Sequence, residues 1–201
     1  RHWRARNLLD PHSYAHVAQR FRSILDNPDG PYRLRQTNAN YDALILALNG
    51  SLVSHFDALI TPASVESLCD RLSIPFCRNI SAALHSSRPG SRNGWIHTDL
   101  CSGWFDDGAA ATSTTLGFSD NRRCDYFTGA RNGPDAEPRE YVRAGVLIYY
   151  LCNDGWATGD GGETALYRSA VPARDNEELV APVNNTALVF ECTPHSYHRF
   201  I

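Results

Sequence analysis

The chain has 201 residues, 42% of them hydrophobic, and a formal net charge of -3. That length can bury a sizeable core without disulfides or a structural metal, and the absence of any basic run argues against a nucleic-acid or anionic-membrane partner. No apolar run reaches the roughly 18 residues of a membrane span. The opening R-H-W-R-A-R-N-L-L also lacks a hydrophobic signal core. The reading is one soluble, cytoplasmic domain that meets a small molecule or a protein.

All 19 basic residues are arginine, and the six cysteines, at 69, 77, 101, 124, 152 and 192, show no C-x-x-C pair. They read as reduced, mostly buried thiols rather than as a disulfide framework.

Residues 1–75 read as mainly helical. Asp10 before Pro11 is a cap followed by proline at the first helical position, and Tyr14, Val17, Ala18, Phe21, Ile24 and Leu25 then recur at helical spacing. Asn27-Pro28-Asp29-Gly30-Pro31 ends that helix. The apolar stretch 41–48 predicts a second helix, closed by Asn49-Gly50. Thr61-Pro62 repeats the cap signal, with Val65, Leu68, Cys69 and Leu72 on one face behind it.

From about residue 76 the texture changes to short apolar runs divided by Gly, Pro, Asn and Asp. Such spacing predicts a β-sandwich or barrel, with strands over 79–85, 95–99, 142–151, 163–167, 186–191 and 197–201. Helices first and strands after give an α+β class in which N-terminal helices buttress a strand-built core. The stretch 101–140 is long and loop-like, and reads as a lid-like insert.

The chemistry starts at W-I-H-T-D-L, residues 95–100. In an extended segment His97 and Asp99, two apart, project to one side. An imidazole and a carboxylate together supply two members of the 2-His-1-carboxylate set that holds non-heme Fe(II) with open positions. The third ligand must come from elsewhere, and the terminal E-C-T-P-H-S-Y-H-R-F-I offers His195 and His198. Three apart on one strand, they face opposite ways, so only one can point inward.

Between these ends lie the strand A-G-V-L-I-Y-Y-L, the turn C-N-D-G-W, the segment G-D-G-G-E-T-A-L-Y and the run V-N-N-T-A-L-V-F-E. In this order the parts resemble the Fe(II)/2-oxoglutarate-dependent oxygenases, specifically the prolyl-hydroxylase-like branch. The resemblance covers about residues 79–201. It implies a double-stranded β-helix, which is a jelly-roll or cupin-like core, and a 2-oxoglutarate-dependent non-heme iron dioxygenase.

As implied by that resemblance, the metal ligands are His97, Asp99 and His198, with S-Y-H-R-F selecting His198 over His195. Fe(II) is the metal, and 2-oxoglutarate and O2 are the co-substrates. Tyr150 matches the strand tyrosine that binds the oxoglutarate carboxylate in related enzymes, although an aromatic filling the core reads equally well. Thr164 is a further cofactor-binding candidate, and Gly161 and Gly162 read as architecture. An aspartate at position 99 favours hydroxylation, since related halogenases carry a small residue there.

Trp104, Arg122 and Arg123 in the lid-like insert are the substrate-binding candidates. The substrate reads as a small amino-acid-like or natural-product molecule, with a protein prolyl or side-chain hydroxylase as the alternative. The family's arginine or lysine for the distal oxoglutarate carboxylate has no match after His198. Arg199 adjoins the ligand and faces away, so the anchor is expected beyond Ile201 or on another strand, for example Arg143. Otherwise the protein is a cupin-like metalloenzyme that does not use 2-oxoglutarate, or a metal-free jelly-roll binding module.

Overall fold

In the computed structural model, which describes residues 1–38, 41–75, 78–107, 115–171 and 177–201, Asp10 caps the first helix. Its carboxylate accepts from the His12 and Ser13 amides at 2.9 and 3.1 Å. Helix α1 (Pro11–Leu25) follows, burying Val17, Ala18, Phe21 and Ile24. Thr61 opens α2 (Pro62–Leu72) with a reciprocal bond to Ser64, and Ser73 closes it in a left-handed conformation. A 3-10 helix spans Gly50–Phe56.

The remaining elements are strands, which makes the fold mixed and strand-rich with few helices. In chain order they are β1 (His2–Arg6), β2 (Arg35–Asn38), β3 (Tyr41–Ala47), β4 (Asn79–Ile80), β5 (Ala83–Ser86), β6 (Ser102–Asp106) and β7 (Gly117–Phe118). Then come β8 (Pro138–Val142), β9 (Gly145–Tyr150), β10 (Thr164–Tyr167), β11 (Glu177–Val180), β12 (Thr186–Glu191) and β13 (Tyr197–Phe200). Among the described residues no helix is long and apolar enough to cross a membrane.

Two compact units partition the chain. The first comprises Arg1–Leu46, Leu84–Asp99 and Val146–Ile201. It contains the sheets β1-β12-β9 and β11-β10-β13, and most of β2-β3-β5. Buried Tyr150, Val180, Leu188 and Phe190 form a shared core with Val146, Ile148 and Leu166 packed against it, so the first two sheets face one another. Strand β12 is central, and Ala187, Leu188, Val189 and Phe190 are all buried, which covers both of its faces.

The second unit comprises Ala47–Ala83 and Leu100–Gly145. It holds α2, the 3-10 helix, the parallel pair β4-β7 and the antiparallel pair β6-β8. Leu52, Phe56, Cys69, Leu72, Phe105 and Cys124 are among its buried residues. The insert 101–140 falls here. It is less loop-like than its composition suggests, because β6 and β8 pair over five residues, from Ser102↔Val142 to Asp106↔Pro138. The part of the insert at 108–114 lies outside the described residues.

The helical reading of the N-terminal part is corrected in two places. Residues 41–48 form no helix: β3 pairs with β2 through Arg35↔Ile45 and Gln36↔Leu44. A short apolar run cannot distinguish a buried helix from a strand by period alone, and here cross-strand pairing decides. The second place is β1, where Trp3 and Ala5 alternate with His2, Arg4 and Arg6, opposite Val189 and Ala187 on β12. That is a period-2 pattern.

Of the six cysteines, the five within the described residues are free thiols, three of them buried. Cys77 lies outside the described residues.

Candidate metal centre

Residues 95–99 are not a full strand, which corrects the prediction there. His97 alone forms an isolated antiparallel bridge with His198. The two residues exchange backbone bonds, His97 N to His198 O at 3.1 Å and His198 N to His97 O at 2.9 Å. Directly opposed residues share a face, and the imidazole centroids lie 4.3 Å apart.

Each ring has its Nδ1 against a nearby carbonyl oxygen, 2.9 Å from Trp95 O for His97 and 3.2 Å from Ser196 O for His198. With Nδ1 protonated and donating to the carbonyl, the Nε2 lone pair of each ring is left for a ligand. Asp99 turns to both rings. Its Oδ1 is 3.7 Å from His97 Nε2 and its Oδ2 is 3.6 Å from His198 Nε2. Two donors each about 2.1 Å from one ion stand roughly 3–4 Å apart, so this spacing suits a shared metal. One ligand atom from each of His97, Asp99 and His198 lies within 4.8 Å of the others.

The cluster is sheltered on one side and open on the other, with side-chain exposures of 8% for His198, 20% for Asp99 and 37% for His97. Phe190 contributes to the shelter, its ring centred 4.8 Å from that of His198. Trp95, half exposed, lies 5.9 Å from His97 on the other flank. Neither aromatic was singled out from the sequence. The alternation of T-A-L-V-F-E, which puts Leu188 and Phe190 on one face, was the signal available for Phe190.

Strand β10 brings the remaining first-unit candidates to the same interior. Its register with β13 places Leu166 opposite His198 and Thr164 opposite Phe200. Tyr150, from β9, donates to Thr164 Oγ1 at 2.7 Å. Burial pushes the Tyr150 phenol up to about 12, opposed by that hydrogen bond and by the charge of Arg4. Gly161 and Gly162 turn the chain into β10 with φ of +82° and +88°, and Trp156 Nε1 donates to Gly161 O at 2.7 Å. A left-handed pair of this kind is where glycine costs least.

Alternation sends Arg199 to the opposite face from His198, where its guanidinium lies 5.4 Å from the Tyr167 ring centre and 3.8 Å from Glu177. His195 is exposed and outside the cluster. The other candidates belong to the second unit. Trp104 packs under Gly129, where an added Cβ would stand 2.5 Å from the indole. Arg123 holds the Asp106 carboxylate at 2.6 Å, and Arg122 holds Asp120 at 2.7 Å. Arg143 Nη2 donates to Tyr126 Oη at 3.3 Å.

The fold is that of the prolyl hydroxylases. A Pseudomonas putida prolyl-4-hydroxylase aligns over 100% of this chain and 84% of its own, with 17% identity and a TM-score of 0.59. A prolyl hydroxylase from Trichoplax adhaerens, solved with a hypoxia inducible factor oxygen degradation domain peptide fragment, aligns over 99% of this chain and 76% of its own, with 15% identity and a TM-score of 0.57. No family model and no curated protein matches the chain.

Proposed function

We propose that the chain is an Fe(II)- and 2-oxoglutarate-dependent dioxygenase with a double-stranded β-helix core. It oxidises an unactivated C–H, by hydroxylation first of all, in a small amino-acid-like or natural-product substrate. The observation that supports this reading is the convergence of His97, Asp99 and His198 within a prolyl-hydroxylase fold. Two imidazoles and one carboxylate fit Fe(II) and leave positions open for other ligands. When bound, the iron supplies O2 activation coupled to decarboxylation of 2-oxoglutarate.

The chain's own residues account for the rest. His97, Asp99 and His198 would hold the ion, and the Trp95 and Ser196 carbonyls fix the ring orientations. Tyr150 and Thr164 present two hydroxyls between the sheets and would orient the far carboxylate of 2-oxoglutarate. At neutral pH the phenol keeps its proton, which it gives to Thr164 Oγ1, leaving the Thr164 proton for the carboxylate. Val180, Leu188, Phe190 and Leu166 surround that space with apolar surface and exclude water. A substrate role for Trp104, Arg122 and Arg123 belongs to the same proposal. Of the two arginines, Arg122 keeps the more open side chain, 74% exposed.

The peptide bound in the Trichoplax adhaerens structure favours a second reading, a hydroxylase of prolyl or other side chains in proteins. Succinate release measured against a panel of free amino acids and of proline-containing peptides separates the two. The chemistry itself is tested by anaerobic addition of Fe(II) and 2-oxoglutarate. A weak visible charge-transfer band is expected. No band, with the protein folded, leaves a metalloenzyme without 2-oxoglutarate or a metal-free binding module.

A further inference from the structure

A cavity of about 380 Å³ lies within the first unit, lined by neighbours of His198 and not by His198 itself. Its walls include Leu166, which is paired with His198 across the strands, and Phe190, whose ring lies against the His198 imidazole. Ser196, whose carbonyl faces His198 Nδ1, is a third wall residue. The volume lies within the range of ligand pockets, about 300–1,000 Å³.

The charged groups and imidazoles at its rim are Arg1, His2, Arg168, His195, Glu177 and Glu178. Both carboxylates are already engaged. Glu178 is held by Arg4 and lies 3.4 Å from His2 Nε2. Glu177 accepts from Tyr167 Oη at 2.5 Å and faces Arg199 at 3.8 Å. Among the described residues, no carboxylate meets Arg168 or the His195 ring. Thr164 and Leu166 share the His198 face of β10, and Arg168, exposed in the bend just after β10 ends at Tyr167, reaches the cavity rim. The cavity therefore combines an apolar wall beside the candidate metal ligand with an open guanidinium and an imidazole at its edge.

We propose that this cavity is the subsite for a free carboxylate on the substrate, taken by Arg168 with His195 beside it, while the substrate's carbon body lies on Phe190 and Leu166 next to His198. A guanidinium matches a carboxylate with two parallel bonds. The inference rests on the proposed function and deepens it: the substrate is a small acid with an ionised carboxylate, not an uncharged internal stretch of peptide.

Benzoate and benzamide are suitable probes, since they share a ring and differ in the charge. The full chain is loaded with Mn(II) and saturating 2-oxoglutarate, and line broadening of the probe protons is followed by NMR. Benzoate is expected to bind and broaden, benzamide to bind at least about tenfold more weakly, and Arg168→Ala to weaken benzoate about tenfold with Mn(II) binding unchanged. Arg168→Lys should restore part of the loss. Equal binding of the two probes, or benzoate binding untouched by Arg168→Ala, overturns the subsite. If Mn(II) fails to bind while fluorescence titration shows Arg168-dependent benzoate binding, the oxygenase reading fails and the carboxylate subsite stands.

Discussion

His97 and His198 face each other through two backbone hydrogen bonds, 3.1 and 2.9 Å long. Residues 101 positions apart thereby present their rings to one carboxylate, Asp99, which meets each with a different oxygen. Backbone pairing of this kind fixes Cβ positions before any metal arrives, so a ligand can be removed without unfolding the segment around it.

Replacing His97 with Ala is therefore expected to abolish tight Fe(II) binding while leaving the fold in place. Removing an outer partner of a metal ligand costs about 10–100-fold in affinity, so losing the ligand itself should exceed about 100-fold. Metal content after anaerobic loading and desalting measures this, with circular dichroism as the fold control. Full iron retention in His97→Ala would contradict the assignment.

Legibility in the sequence followed local signals. Asp10 and Thr61 announce their helices because caps act within three residues, and Gly161-Gly162 announces a left-handed turn because few other residues tolerate it. H-T-D was readable because both groups sit in one short segment. Strand β3 was not, since 41–48 is apolar without a decisive period and its state depends on a partner strand. Strand β1 carried a visible alternation, but its ladder partner lies some 180 residues away, at 186–190. The flank of His198 was unreadable for the same reason, as Leu166 and Phe190 reach it only through the register of β10 and β13 and the facing of two sheets.

Alkaline stability should report on Tyr150. Its folded pKa, about 12, lies above the unfolded value of 10.0. Below pH 10 both states keep the proton and the group adds no pH dependence. Between about 10 and 12 the unfolded chain releases its proton and the folded chain does not, so stability falls as pH rises. Tyr150→Phe removes that contribution and should flatten this part of the urea-midpoint profile relative to the parent. The same variant, lacking the bond to Thr164, should bind 2-oxoglutarate more weakly at neutral pH. An unchanged alkaline slope would show that the phenol titrates normally.

Leu188 has no exposed surface and sits in the core shared by the two sheets of the first unit. Leu188→Ala is expected to cost about 2–5 kcal/mol, the transfer loss plus the cavity left behind. Chemical denaturation measures it. A cost below 1 kcal/mol would mean that the sheets do not share this core in solution.

Gly162 joins the turn to the metal site. It holds φ +88°, donates its amide to Ile201 O at 2.7 Å, and leads through Glu163 into Thr164 and Leu166, which lie opposite Phe200 and His198. A Cβ at Gly162 would stand 3.4 Å from Pro182 Cγ, an ordinary contact, so the cost of alanine is conformational and not steric crowding. A non-glycine residue held at such an angle costs on the order of 1–3 kcal/mol. Gly162→Ala should therefore lower stability by that amount. Where the strain is relieved by a shift of β10, it should also weaken 2-oxoglutarate binding through Thr164 more than Fe(II) binding through His198. Parallel titrations of the metal and of 2-oxoglutarate on this variant check the split. Equal loss of both would place the damage in the whole sheet instead of in the entry to β10.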